Sequence, residues 1–176
     1  MIKKIFDLKD NRTSEISKFT TMVVATLTDT EINFEFFCKD SMLYSAYEGY
    51  NTNIYEGDVC EVFISTDGTT KNYYEIEVAP NGSVFLHTIY NPNNTSDVQI
   101  KPVEENFLKT DVEILGSDYI VKISIPLDKI GYSKENGILF NAFRIETEGG
   151  IMNKNLLAYS PSNTGTFHIS SFFKKF

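Results

Sequence analysis

Residues 57–65, Gly57-Asp58-Val59-Cys60-Glu61-Val62-Phe63-Ile64-Ser65, and residues 73–82, Tyr73-Tyr74-Glu75-Ile76-Glu77-Val78-Ala79-Pro80-Asn81-Gly82, carry the pattern that decides the fold. Side chains on an extended strand alternate between its two faces. Cys60, Val62 and Ile64 therefore form one apolar set, and Tyr74, Ile76 and Val78 form the matching set on the second strand. Glu61 and Phe63 project the other way, as do Tyr73, Glu75 and Glu77. Pro80-Asn81-Gly82 supplies the fixed and positive φ values of a hairpin turn. If the two strands pair, carboxylates and aromatic rings share the face turned away from the core.

The same alternation extends in both directions. Ile32, Phe34, Phe36 and Cys38 share a face, with Thr28-Asp29-Thr30 as the turn before them, and Gly116-Ser117-Asp118 makes a third turn. Strands are expected near 20–28, 31–39, 57–66, 73–79, 83–90, 107–116, 118–125 and 138–146. The Asn- and Pro-rich stretch 90–97 reads as a loop, and 126–131 as one short helical turn. Helical periodicity is almost absent elsewhere. The expected fold is all-β, an antiparallel, jelly-roll-like sandwich of about eight or more strands, in a single domain over residues 1–176.

Charge narrows the partners. With 16 Lys and Arg against 24 Asp and Glu, the net charge of −8 repels phosphate backbones and anionic membranes, so neither nucleic acid nor a membrane is expected. The basic start Met1-Ile2-Lys3-Lys4 never meets the apolar run of roughly 7–15 residues that a secretion signal needs. That predicts a cytoplasmic chain, with a secreted or cell-surface location as the alternative. Cys38 and Cys60 lack metal-knuckle spacing and sit in apolar stretches, which predicts buried free thiols, a disulfide being the alternative.

The acidic and aromatic face admits two readings. It is either a solvated sheet surface or a sugar-binding one, because carboxylates accept hydrogen bonds from hydroxyls and flat rings cover the C–H faces of a pyranose. No triad order, phosphate-binding loop, dinucleotide fingerprint or zinc motif is present.

The run Tyr55-Glu56-Gly57-Asp58-Val59-Cys60-Glu61-Val62-Phe63, followed by Tyr74-Glu75-Ile76-Glu77-Val78-Ala79-Pro80-Asn81-Gly82, resembles carbohydrate-binding module family 9. Residues 22–40 resemble that family's paired strands around a tight turn, and Phe167-His168 with Phe172 its closing aromatic motif, so the resemblance covers most of the chain after residue 20. It implies a noncatalytic β-sandwich that holds the end of an oligosaccharide or polysaccharide between two aromatic rings. Tyr55 and Phe167 match the stacking positions, which the family usually fills with Trp; this chain has none. Glu61 matches a sugar-bonding carboxylate, whereas Glu75 falls near a position where some members carry a basic residue. His168 and Arg144 are expected to add hydrogen bonds from the same region. The ligand-binding set is thus Tyr55, Glu61, Tyr73, Glu75, Glu77, Arg144, Phe167 and His168, with no catalytic residue. No cofactor is required, and the resemblance leaves room for a structural calcium ion, for which Asp29, Asp40 and Asp97 are exposed oxygen donors. Two alternatives stand beside sugar binding: a sandwich interaction domain with a decayed site, and a jelly-roll glycosidase using the sheet carboxylates.

Overall fold

The computed structural model describes residues 1–150 and 152–176. Among the described residues thirteen strands run in the order β1 (Ile2–Asp7), β2 (Lys9–Asp10), β3 (Thr21–Leu27), β4 (Glu31–Cys38), β5 (Val59–Ser65), β6 (Asn72–Val78), β7 (Val84–Tyr90), β8 (Gln99–Pro102), β9 (Lys109–Leu115), β10 (Asp118–Pro126), β11 (Leu139–Glu146), β12 (Asn155–Ala158) and β13 (Lys174–Lys175). Only two single-turn 3₁₀ segments, Ile54–Glu56 and Ser170–Phe172, interrupt this all-β course among the described residues. None of the described residues forms a helix long and apolar enough to cross a membrane.

Two antiparallel sheets build the sandwich. One holds five strands in the order β1-β3-β4-β10-β9. The other holds eight, in the order β2-β12-β11-β5-β6-β7-β8, with β13 paired to β11. The alternating sets read from the sequence interleave between the sheets: Val23, Ala25, Ile32, Phe34 and Phe36 meet Cys60, Val62, Ile64, Ile76, Phe140 and Ala142 in one buried cluster. Cys38 and Cys60, one from each sheet, are free and buried with their Sγ atoms 3.5 Å apart.

A second apolar cluster lies on the other face of the eight-stranded sheet. Phe63, Tyr73, Phe85, Ile89, Phe143, Ile145, Leu156 and Ala158 are buried there with Ile54, Phe167 and Phe173 from the connecting segments. Antiparallel sheets commonly leave one face to water. Here that face is covered.

Arg144 belongs to neither the covered face nor its loops. The register sets it opposite Cys60 on β5 and Leu157 on β12, both members of the inter-sheet core, so its side chain enters the sandwich interior. There it is fully buried, donating from Nη2 to Asp40 Oδ2 at 2.8 Å and from Nη1 to the Lys39 carbonyl at 2.8 Å and Thr21 Oγ1 at 3.0 Å. The expected place beside the sheet carboxylates fails on parity: Phe143 and Ile145 face the covered side, and Arg144 between them cannot.

Candidate functional site

Three adjacent strands supply the floor of a cavity of about 580 Å³ on the covered face. Pairing of β5 with β6 sets Glu61 directly opposite Glu77 and Phe63 opposite Glu75. Pairing of β6 with β7 then sets Glu75 opposite His87 and Glu77 opposite Phe85. All six side chains line the cavity. The alternation that buries Val62 and Ile76 in the inter-sheet core thus delivers the carboxylates here, and the register brings them together.

The three carboxyl groups are almost wholly withdrawn from water, at 2% exposure for Glu61, 6% for Glu75 and 1% for Glu77. Each offers an oxygen within 4.8 Å of the others. Burial penalises the charged form of a carboxyl group, and neighbouring carboxylates add repulsion. Glu75 is accordingly pushed up to about 8 by burial. Glu61 and Glu77 are raised well above the ordinary range, first by burial and then by neighbouring carboxylates, with Lys154 opposing.

Connecting segments supply the walls. Tyr55, from the 3₁₀ turn before β5, meets Phe85 edge-on with centroids 5.7 Å apart. Its carbonyl accepts a hydrogen bond from Lys154 Nζ at 2.8 Å. Gly57 follows because the chain passes close there: a Cβ would lie 2.6 Å from the Tyr44 carbonyl oxygen and 2.7 Å from the Ala46 nitrogen. Opposite in sequence, Phe167 stacks on Phe143 at 4.3 Å. Its segment is tied down by buried Asn11, whose Nδ2 donates to the Thr164 and Thr166 carbonyls at 3.0 Å each and whose Oδ1 accepts from the Ser162 N–H at 3.0 Å.

His168 stacks on Phe63 at 5.1 Å, and its Nδ1 shares a hydrogen bond of 2.8 Å with the Tyr73 hydroxyl. Burial lowers this imidazole to about 4, so it is neutral, and its Nε2 lies 3.8 Å from Glu75 Oε1. Tyr73 is raised by burial and stays a phenol. It is not itself a lining residue of this cavity; it props His168 from beneath. Of the expected ligand-binding set, Tyr55, Glu61, Glu75, Glu77, Phe167 and His168 line the cavity, while Tyr73 and Arg144 do not. Lining residues absent from that set include Asn51, Asn53, Phe85, His87 and Lys154. Phe85 and His87 were readable from the parity of β7; Lys154 and the asparagines come from irregular segments with no such signal.

At one end of the sandwich, Asp40, Asp58 and Glu146 form another acidic group, with carboxylate oxygens within 4.8 Å of one another. Asp58 accepts from the Tyr44 N–H and from the Thr147 N–H and hydroxyl, and Glu146 from the Glu148 N–H and Asn155. Burial raises Asp58 and pushes Glu146 up to about 7. This is an all-oxygen set of the kind calcium takes. It includes Asp40 but neither Asp29 nor Asp97.

No protein-family model matches the sequence, and no curated protein does. Solved structures do match. A protein from Bacteroides uniformis inferred to bind carbohydrate superposes with a TM-score of 0.78 at 17% identity, over 97% of this chain and 84% of that one. A carbohydrate-binding module of family 9 from Caldicellulosiruptor kristjanssonii, solved with glucose, superposes with a TM-score of 0.63 at 16% identity, over 96% of this chain and 82% of that one. The fold is that of the family 9 modules. A cellotriose complex of a family 9 module from the same organism matches at 0.61 and 15% identity, over 96% and 77% of the two chains. The superposition with the family 9 modules covers nearly this whole chain.

Proposed function

We propose that the chain binds the end of an oligosaccharide without cleaving it, in the cavity on the outer face of the eight-stranded sheet. The observation that carries this is the composition of that cavity: aromatic side chains Tyr55, Phe85 and Phe167 beside the hydrogen-bonding floor of Glu61, Glu75 and Glu77. Rings cover the C–H faces of a pyranose, and carboxyl groups bond its hydroxyls. The family 9 fold, shared with modules solved with glucose and cellotriose, supports the same reading.

A glycosidase needs an acid and a nucleophile or base flanking the scissile bond. The family 9 neighbours solved with glucose and cellotriose are binding modules, which favours holding over cutting. Asp40, Asp58 and Glu146 are the residues that would hold a structural calcium ion, which would compensate their charge and join the end of β4 to the eight-stranded sheet.

Calorimetric titration with glucose and with cello-, xylo- and manno-oligosaccharides tests the reading. Saturable heat is expected from at least one series, with affinity lowered about 3- to 10-fold in Tyr55→Ala, the loss of about 0.5–1.5 kcal/mol from one aromatic contact. Phe167→Ala should weaken binding as well, and its melting temperature separates lost stacking from lost packing against Phe143. Absence of heat across the panel would favour an interaction domain without a sugar site.

A further inference from the structure

The floor of the cavity has an unmet requirement. Glu61 Oε1 and Glu77 Oε2 are buried without a hydrogen-bond donor from the protein, as is Nδ1 of His87 on the neighbouring strand. Buried carboxyl oxygens left unpaired are costly, and a carboxylate more so. Arg12 and Lys154 also line the cavity, yet neither donates to Glu61 Oε1 or Glu77 Oε2. Lys154 Nζ donates to the Tyr55 carbonyl and lies 5.9 Å from that ring's centre. Arg144 is bound to Asp40 on the far side of the sheet, and His168 is neutral.

We propose that the cavity selects a saccharide bearing a free primary amine, whose ammonium group sits on Glu61, Glu75 and Glu77. The inference rests on the sugar-binding reading above and names the ligand class for that site. An ammonium group has three N–H donors, and charge-assisted bonds of about 2.8 Å in tetrahedral directions place their acceptors about 4.6 Å apart. The three carboxyl oxygens lie within 4.8 Å of one another. Each neutral hydroxyl donates one hydrogen bond, so meeting three oxygens takes three hydroxyls where a single ammonium group suffices. Calcium takes six to eight oxygens, and the residues set directly opposite the carboxyl groups on the neighbouring strands, Phe63, Phe85 and His87, supply none. Aromatic walls also favour a cation beside their faces.

The step has a proton balance. With Glu75 pushed up to about 8 by burial, and Glu61 and Glu77 raised by burial and by neighbouring carboxylates, the empty floor holds protons more tightly than ordinary carboxyl groups do. Docking of an ammonium ion ionises a carboxyl group, and its proton leaves to the buffer. The other titratable groups at this site are Arg12, Tyr55, His87, Lys154 and His168, with Tyr73 behind His168. His87, lowered by burial, is neutral in this range, like His168.

The test is calorimetry on the whole chain with three trisaccharides of one backbone: β-1,4-linked glucosamine, its N-acetylated form and cellotriose. Butylamine and calcium chloride are added as separate arms, and the titrations are run in two buffers of different ionisation heat. The amine trisaccharide is expected to bind at least about tenfold tighter than the other two, a difference of about 1.4 kcal/mol, with a buffer-dependent heat that reports proton release. Glu77→Gln and Glu61→Gln should each weaken the amine trisaccharide more than cellotriose, narrowing the preference to less than about threefold, with the wild-type circular dichroism retained. Equal affinity for the amine and hydroxyl forms would sink this inference and leave the sugar reading standing. Silence from all three sugars would remove both. Butylamine binding as tightly as the trisaccharide, or saturable calcium heat lost in Glu77→Gln, would overturn the assignment in favour of a simple amine or a metal ion.

Discussion

Arg144 shows how one side chain's position changes its meaning. Buried and paired with Asp40, it is a case where removing one partner strands a charge. Asp40→Ala should therefore cost about 3–5 kcal/mol in urea unfolding. In calcium-free buffer, combining it with Arg144→Met should recover most of that loss, because a buried ion pair replaced by apolar groups is often neutral. Sugar affinity should change little in the double variant, since neither residue lines the cavity. Parity within 138–146 sets Arg144 apart from Phe143 and Ile145, a signal that the expectation of Arg144 at the sugar site left unused. What the sequence did not reveal was its partner, because Asp40 lies beyond the end of β4 where alternation stops.

At the scale of elements, the walls depend on a tie that no periodicity announces. Asn11 follows the two-residue strand β2, and three backbone groups of residues 162–166 end on its amide. Asn11→Ala would strip this partner from the Ser162 N–H and the Thr164 carbonyl, at about 1–3 kcal/mol each, while the Thr166 carbonyl keeps the Thr164 hydroxyl. The expected outcome is a lower melting temperature together with weaker sugar binding, although Asn11 is not a lining residue; calorimetry and thermal unfolding of the same variant check both. The strands read from alternation, such as 31–39 for Glu31–Cys38 and 57–66 for Val59–Ser65, were legible because one face of each is buried in the core. Ile2–Asp7 was not: its Ile2 and Ile5 are exposed and its lysines are adjacent, so no period of two survives. Asn155–Ala158 is too short for a pattern, and Gln99–Pro102 is exposed throughout. The acidic face was legible as a face, yet its burial was not, because the covering segments at 51–56 and 163–173 are irregular.

For the molecule as a whole, buried acids set the response to pH. Glu75 has an ordinary value of 4.5 and sits at about 8 when folded, so between these limits the unfolded chain releases a proton that the folded chain keeps. Stability then falls as pH rises through that window. Glu61, Glu77, Asp58 and Glu146 act in the same direction. His168, lowered from 6.5 to about 4, acts oppositely but only below 6.5. The melting temperature should therefore drop from pH 6.5 to pH 8, with a slope of about 1.4 kcal/mol per pH unit for each carboxyl group that stays protonated. Glu75→Gln should flatten the decline, and a profile that rises over this range would contradict the burial argument.

The aromatic rim has an optical side. The chain carries ten tyrosines and no tryptophan, so its own fluorescence is a blend in which no single ring can be singled out. An indole introduced at Tyr55, in edge contact with Phe85 at the mouth of the cavity, would be the sole emitter of its kind. Its colour would then depend on whether water or a ligand stands against it, which makes the missing residue of this sandwich the natural place for a lamp.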